Sequence, residues 1–316
     1  MTPTRLRAGG ENAVGVTMGL IGDEWTLLIL RYAHQGVRRY ADWRERLAIS
    51  DSVLSARLSL LTRTGLLARD AYQARPTRYE YRLTARGREV WPILVAIWAW
   101  EYRWVAGHAG RLPWMRHRAC GRHMEPLMAC AACGEAVRPR DVRSEVGPSG
   151  GEGRSVPAAA TRRRPVPGTP AGAGLFPETM ALIGNRWSVM LLGAAFLGAR
   201  RFGDFQQMLG APPTMVADRL RTFVELGVLS AGPSADRADW ISYRLTDKGR
   251  AFFPVVMTAI GWGQRWFDAP DGPALVSVHR GCGAAFEPCL VCDHCGGTLR
   301  ENDVVVEDVS LSGTTG

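Results

Sequence analysis

The chain repeats itself. Shifted by 162 positions, Trp25 falls on Trp187, Gly22 on Gly184, Leu30 on Leu192 and Gly36 on Gly198. Arg57-Leu58 falls on Arg219-Leu220, Gly65 on Gly227, and Tyr81, Leu83, Thr84 and Gly87 on Tyr243, Leu245, Thr246 and Gly249. Pro92, Trp100 and Trp104 fall on Pro254, Trp262 and Trp266. The register holds through Asp141-Val142 on Asp303-Val304 with no net insertion. Chance does not keep one offset over so many Trp, Gly and Pro positions. The period is far too long for a solenoid, so the 316 residues hold two copies of one domain. Between them, Arg143 to Gly174 is rich in Gly, Pro, Ala and Arg and poor in apolar residues. That composition predicts a flexible linker reaching roughly 30 Å as a coil. Its Arg162-Arg163-Arg164 run reads as solvated, with DNA phosphate as the sharper alternative.

Within one copy the apolar spacing is helical. Asn12 to Leu20 is a short helical stretch, and Glu24 to Tyr32 follows with Trp25, Leu28, Ile29 and Tyr32 on one face. Gly36 ends it. Tyr40 to Leu47 is a short amphipathic helix. After a tight turn at Ile49-Ser50, Ser50 or Asp51 can cap a helix through Leu61 that buries Leu54, Leu58 and Leu61. Gly65 stops it. Two short helices joined by a tight turn, the second polar on its outer side, match a helix-turn-helix. Leu66 to Arg69 and Tyr79 to Leu83 read as two strands of a wing. Thr84 caps a last helix, Ala85 to Trp104, which Pro92 should kink. Its aromatic residues exceed what one small domain can bury. Core packing is one reading, and a helix–helix interface with another copy is the sharper one.

The string Trp25, Leu30, Gly36, Arg39-Tyr40, Leu54, Arg57-Leu58, Leu61, Gly65-Leu66, Arg69, Tyr72, Pro76, Arg78, Tyr81-x-Leu83-Thr84, Gly87, Pro92, Trp100 resembles the HxlR-type winged-helix regulators, relatives of the MarR type. The resemblance covers about residues 12–105 and 174–267. It implies a DNA-binding transcriptional regulator paired through its terminal helices, with the helix after the turn in the major groove and the wing along the backbone. The family's frequent electrophile-responsive Cys before the first helix has no counterpart, because the first cysteine is Cys120.

The expected fold is mainly α with small β (α+β): two winged-helix domains, each followed by a small zinc-ribbon-like module. The divisions are a flexible N-terminus (1–11), winged helix 1 (12–106), module 1 (107–142), the linker (143–174), winged helix 2 (175–268), module 2 (269–308) and a flexible tail (309–316).

The net charge of +9 and pI of about 9.6 suit a polyanionic partner, double-stranded DNA first and an anionic membrane surface second. A groove-reading helix presents its outward positions to base edges. In copy 1 these are Asp51, Ser52, Ser55, Ala56 and Ser59, with Arg38, Arg39, Arg63, Arg69, Arg75 and Arg78 for phosphate or the minor groove. In copy 2 they are Pro213, Thr214, Ala217, Asp218 and Arg221, with Arg200, Arg201 and Arg237. The wings differ in charge. Arg63 to Glu89 carries seven Arg and three acids, whereas Glu225 to Arg250 carries four basic residues and four acids. Arg69, Tyr72, Pro76 and Arg78 become Ala231, Ser234, Ala238 and Trp240. Copy 1 is therefore expected to supply most of the DNA affinity, with copy 2 as a weaker reader or mainly a pairing partner.

After each last helix comes His-x2-Cys, nine residues, then Cys-x2-Cys-Gly. The predicted ligand sets are His117, Cys120, Cys130, Cys133 and His279, Cys282, Cys292, Cys295. Cys3His is a usual closed set for structural zinc, so two structural zinc ions are expected. A redox dithiol and inert cysteines are the alternatives. His123, His294 and Cys289 fall on Ala285, Ala132 and Leu127, so they stand outside the repeated quartet.

Trp91, Trp98, Trp100, Trp104, Trp262 and Trp266 mark a terminal-helix surface that serves pairing or holds a small aromatic effector. Pairing is expected either within the chain, as a pseudo-dimer, or between two chains. The longest apolar run, Val90 to Trp100, has 11 residues and is too short to span a bilayer, and no secretory signal is visible. A cytoplasmic protein with no membrane partner is expected. No phosphate loop, nucleotide fingerprint or catalytic triad spacing is present, so an enzyme is not expected.

Overall fold

The computed structural model describes residues 2–151, 154–155, 176–234 and 239–307. The first copy begins with β1 (Thr4–Arg5), α1 (Ala13–Ile21) and α2 (Glu24–His34). Asn12 caps α1 and Asp23 caps α2, each by a side-chain oxygen that accepts a backbone N–H. Then come α3 (Tyr40–Arg46) and α4 (Asp51–Arg63), whose cap is Ser50, accepting from Val53 N. The wing is β2 (Leu67–Ala74) and β3 (Thr77–Leu83). Next are α5 (Ala85–Arg88) and α6 (Trp91–Trp104). The Cys/His module holds β4 (Trp114–His117), β5 (Pro126–Cys130) and β6 (Val142–Val146).

The second copy repeats the order. It runs α7 (Pro177–Ile183), α8 (Arg186–Phe196), α9 (Phe202–Leu209), α10 (Pro213–Glu225), β7 (Leu229–Pro233), β8 (Ile241–Leu245), α11 (Asp247–Arg250) and α12 (Phe253–Trp266). It ends with β9 (Phe267–Asp268), β10 (Leu275–His279), β11 (Pro288–Cys292) and β12 (Val304–Glu307).

The repeated glycines are fixed by geometry. Gly65 has φ +73°, and its N–H bonds Thr62 O (3.1 Å) while Leu66 N bonds Leu61 O (2.9 Å). These two bonds close α4 in the left-handed conformation glycine tolerates best. A Cβ on Gly87 would lie 2.1 Å from Leu66 O, and one on Gly249 2.2 Å from Val228 O. Thr84 Oγ1 accepts from Gly87 N (3.2 Å) and donates to Gly65 O (2.6 Å). The Thr-x-x-Gly signature thus joins the end of the wing to the end of α4.

Pro92 does not kink one long helix. It starts a new one, at the first turn of α6, where a missing N–H costs nothing. Both wing strands run longer than the sequence suggested, because β2 and β3 pair out to Ala74↔Thr77.

The two copies share one core. A continuous apolar cluster joins Leu27, Trp43, Leu54, Leu58 and Trp100 to Leu191, Phe205, Phe223, Phe252 and Trp262. Trp43 is fully buried against Tyr81 at 5.8 Å, and Phe205 meets Tyr243 likewise at 6.2 Å. Contacts between the copies are reciprocal. Trp100 Nε1 donates to Lys248 O (3.0 Å) and Trp262 Nε1 donates to Arg86 O (3.0 Å), positions related by the same 162-residue shift. Trp266 Nε1 donates to Glu89 Oε2 (2.9 Å).

Two segments expected to be flexible are tied down. β1 pairs in parallel with β9, and Gly9 N donates to Asp271. The start of the presumed linker is β6, paired with β10, and Arg154 reaches Asp271 (2.7 Å). Asn12 Nδ2 donates to Ser149 O (2.9 Å) and Ser155 Oγ (2.7 Å). The Arg162–Arg164 run and the tail from 309 lie outside the described residues. Among the described residues no single helix is long and apolar enough to cross a membrane.

One buried acid breaks the symmetry. Glu101 on α6 is fully buried and accepts from Thr179 N (3.0 Å) and Thr179 Oγ1 (2.6 Å). Its equivalent is Gly263, where a Cβ would meet Thr17 Oγ1 at 2.1 Å. Burial pushes the Glu101 carboxyl up to about 7, with Glu178 adding to the rise and the Thr179 bonds and Lys248 opposing it. His108 Nδ1 lies 3.0 Å from Oε2, and burial, helped by Arg111, lowers its pKa, so desolvation favours the neutral form of each group. The folded state then holds a proton the unfolded chain releases above about pH 4.5, so this contribution is lost as pH rises toward 7. Glu101→Gln should leave stability little changed at pH 5 and raise it at pH 8 by on the order of 2 kcal/mol. Urea midpoints of both proteins at the two pH values check this.

Candidate nucleic-acid interface and metal clusters

In copy 1, α4 rests on the core through Leu54, Leu58 and Leu61. That turns Asp51, Ser52, Ser55, Ala56, Ser59 and Arg63 outward, and all six are exposed. Arg57 points the other way, onto Asp23, through Nε (2.7 Å) and Nη2 (2.9 Å). Because Asp23 also caps α2, this buried pair sets the angle of α4 against α2. Asp51 is engaged: Tyr40 Oη donates to Oδ1 (2.9 Å) and Arg44 lies 3.3 Å away. Arg63 Nη1 donates to Ser59 Oγ (3.0 Å).

The wing of copy 1 is a basic ribbon. Arg38, Arg39, Arg69, Arg75 and Arg78 are exposed. The Arg39 guanidinium sits 4.9 Å from the Tyr72 ring centroid and Arg69 3.5 Å from that of Tyr79, contacts that hold the cations in place. Tyr81 N donates to Arg38 O (2.8 Å), which ties the segment before α3 to the wing.

Copy 2 keeps the scaffold and loses the charge. Its wing strands have five residues each, against eight and seven in copy 1. On α10, Thr214, Pro213 and Arg221 are exposed, but Ala217 and Asp218 are half-buried. Asn185 stands where copy 1 has Asp23, so Arg219 loses that partner and pairs with Asp218, which also lies 3.9 Å from Arg221. Arg200 is exposed, and Arg201 covers Trp240 at 4.8 Å. The Asp204 carboxylate accepts the N–H groups of Arg200 (2.9 Å) and Arg201 (2.8 Å), which lower its pKa. Arg237 lies outside the described residues. The Asp23–Arg57 pair and the aromatic supports Tyr72 and Trp240 were not singled out from sequence as site residues. The change of Asp23 to Asn185 beneath a retained Arg was a readable signal.

The eight predicted metal ligands assemble, but not in the predicted sets. One cluster is His117, Cys120, Cys292 and Cys295, and the other is Cys130, Cys133, His279 and Cys282. Each joins the His-x2-Cys knuckle of one copy to the Cys-x2-Cys knuckle of the other. The expectation of one quartet within each copy is therefore corrected. The cause is strand exchange. β4 pairs with β12 and β10 with β6, so each module completes its sheets with a strand of the other copy. β5 pairs antiparallel with β11, and Met128 faces Leu290, its own counterpart under the repeat. A local two-fold axis passes through that pair and carries each Cys-x2-Cys knuckle to the far side.

The geometry fits a metal ion. A tetrahedron with Zn–S of about 2.3 Å and Zn–N of about 2.0 Å has edges of about 3.5–3.8 Å. His117 Nδ1 lies 3.5 Å from Cys120 Sγ and 3.3 Å from Cys295 Sγ, and Cys120 Sγ lies 3.8 Å from Cys292 Sγ. In the second cluster His279 Nδ1 lies 3.2 Å from Cys282 Sγ and 3.4 Å from Cys133 Sγ, and Cys130 Sγ is 4.0 Å from Cys282 Sγ. The Arg122 and Ala284 backbone N–H groups, helped by the histidines, lower the Cys120 and Cys282 thiols to about 7. His279 Nε2 is 3.8 Å from Glu135 Oε2, an outer carboxylate of the kind that orients a ligating imidazole. His123 is bonded to Glu307 (2.9 Å), and Cys289 Sγ faces Ala129 O with its thiol raised by burial. Among the described residues, neither they nor His294 belong to a cluster.

The HxlR-like helix-turn-helix model matches residues 20–109 and again 182–271. The chain belongs to the HxlR-like helix-turn-helix family. An HTH-type transcriptional regulator of Mycobacterium bovis, Mb3122, is 40% identical over 142 residues, which is 45% of this chain and 89% of that protein. It has room for one copy of the unit. Another from Synechocystis, sll1512, is 40% identical over 79 residues, 25% of this chain and 58% of that protein. Among solved structures, PA1607, a candidate transcription factor, is 38% identical, covers 39% of this chain and 85% of its own, with a TM-score of 0.35. PA1374 of Pseudomonas aeruginosa is 35% identical over 39% of this chain and 84% of its own, with a TM-score of 0.32. The protein is a transcriptional regulator built from two HxlR-like helix-turn-helix domains in one chain.

Proposed function

We propose that the chain binds double-stranded DNA sequence-specifically as an intramolecular pair of HxlR-like domains and represses by occupying its operator. The observation that carries this is the exposed face of α4, with its polar outward positions beside the arginine ribbon of β2 and β3. Shape, polarity and charge there suit a major groove flanked by phosphates. Copy 1 is the principal reader. The short wing of copy 2 and the internal pairing of Asp218 favour a weaker grip on its half-site. They also support a second reading, in which copy 2 serves mainly as the pairing partner of a sensor or adaptor. Neither reading involves catalysis.

Each Cys/His cluster holds one zinc ion in a structural role. Four protein ligands leave no open coordination position for chemistry. Because each cluster draws on both copies, the ions fasten the two readers to each other.

Selection of bound sequences from random DNA by the full chain tests the main reading. Enrichment of an imperfect palindrome with half-sites about 10 base pairs apart is expected, since the two recognition helices differ. Recovery of a single half-site would instead favour copy 2 as a partner only, and no enrichment would overturn DNA recognition altogether.

A further inference from the structure

The repeat supplies an internal control for the brace beneath each recognition helix. In copy 1 Asp23 accepts four hydrogen bonds. Oδ1 takes Thr26 N (2.9 Å), Thr26 Oγ1 (3.0 Å) and Arg57 Nε (2.7 Å), and Oδ2 takes Arg57 Nη2 (2.9 Å). In copy 2 Thr26 becomes Ser188, Arg57 is kept as Arg219, and the residue between them is Asn185. Asn185 Oδ1 accepts from Trp187 N (2.8 Å). Among the described residues, Ser188 Oγ and Arg219 Nε are buried without a hydrogen-bond partner. They are the counterparts of two donors that bind Asp23 Oδ1. An amide offers one acceptor oxygen and a donating NH2, whereas a carboxylate offers two acceptor oxygens. The change from Asp23 to Asn185 thus leaves two buried donors unsatisfied, which costs stability.

What Arg219 does instead reaches the DNA-facing surface. Its Nη2 donates to Asp218 Oδ2, on the adjacent residue of α10. Asp218 stands where copy 1 has the outward Ala56, and Arg221 lies 3.9 Å from its other oxygen. The two arginines, Arg219 above all, hold the Asp218 carboxyl below the usual carboxylate range. A free carboxylate on a groove-facing helix can accept from the amino group of cytosine. One that already holds two guanidinium groups is occupied. In copy 1 the bidentate pair with Asp23 keeps the retained arginine off this surface.

We propose that Asn185 is a positioning residue that sets how copy 2 reads DNA: it leaves Arg219 without an inward acceptor, and that arginine then withholds Asp218 from the bases. The inference rests on the DNA-binding reading and deepens it. It places part of the weaker grip of copy 2 in one substitution beneath the helix.

Asn185→Asp in the full chain tests this on two levels. The first needs no DNA. The new carboxylate should capture Ser188 Oγ and Arg219 Nε, raise the thermal midpoint by about 2 °C, and slow exchange of the Arg219 Nε proton in nuclear magnetic resonance spectra. In an Arg219→Ala background the same change should bring no gain in midpoint. The second level is base preference. In selection from random DNA, Asn185→Asp should acquire a preference of about tenfold for cytosine at one position in the half-site of copy 2. The half-site of copy 1 should be unchanged. Adding Asp218→Ala should remove that preference and keep the thermal gain. A thermal gain with no new base preference would mean that the pair only packs the domain, and would overturn the proposal. So would a change shared by both half-sites, or no thermal gain. If neither the original chain nor the variant enriches any sequence, DNA recognition itself fails and the reading role falls with it, while coupling of Asn185 to Arg219 still shows in the thermal midpoints.

Discussion

Replacing Cys120 and Cys295 together by serine should leave a protein that still binds about one zinc ion per chain, whereas replacing Cys120 and Cys130 should leave almost none. Cys120 and Cys295 share a cluster, so the double variant removes one site and spares the other. Cys120 and Cys130 belong to different clusters, so that variant damages both. Quartets confined to each copy would give the reverse result, and the ratio of metal to protein distinguishes the two without any structural measurement. Serine is a poor ligand for a soft cation, and three ligands in a small module hold zinc far more weakly than four. The loss should also be felt in stability. Structural zinc supplies on the order of 10 kcal/mol of apparent folding energy in small modules, and this module's own core is slight. Residues such as Met128, Leu290 and Leu299 are buried against Trp98 and Met257 of the long helices. The zinc-free variant should therefore lose the exchanged strands first. The shared core around Trp43, Trp100 and Trp262 does not include the ligands and should keep the winged helices folded. Far-ultraviolet circular dichroism and limited proteolysis at Arg118 and Arg138 would separate the two layers.

The order and nature of the elements were legible because each rests on a local signal: Ser50 at a cap, Leu54, Leu58 and Leu61 on one face, Gly65 at a stop. The exposure of Ser52, Ser55 and Ser59 followed from the same periodicity. Pairing of the clusters was not legible, because the 162-residue symmetry is satisfied equally by quartets within a copy and quartets exchanged between copies. The pairing of β4 with β12, β6 with β10 and β5 with β11 decides, and that pairing depends on tertiary contacts beyond any sequence window. The ordering of residues 142–151 was hidden for a related reason. By composition residues 143–146 read as the start of the linker, yet they belong to β6, whose partner β10 lies more than a hundred residues away. The contact of His34 with Glu301 was equally invisible, since the two meet only after the modules exchange strands.

Changing Arg75 and Arg78 to alanine should weaken operator binding by about a hundredfold, and the salt dependence of log K should become shallower by about two units. Both arginines are exposed near the turn of the longer wing, and among the described residues neither is paired with an acid that would have to let go first. The same treatment of Arg200 and Arg237 should cost less than about fivefold. On that side Trp240 takes the place of Arg78, and the wing segment is neutral overall. A third variant separates reading from attraction. Asp23→Asn reproduces the Asn185 of copy 2 and frees Arg57, a cation otherwise held by a buried bidentate pair. A cation added near the phosphates would strengthen binding, but α4 would lose its brace against α2. We expect the second effect to dominate in specificity: affinity for random DNA holds or rises, while preference for the operator falls by about tenfold. Gel-shift titrations at several salt concentrations, with operator and scrambled duplex in parallel, report both quantities. Equal losses from the two arginine pairs would show that the copies share the load. A parallel fall of operator and scrambled binding in Asp23→Asn would show that the brace sets affinity and not register.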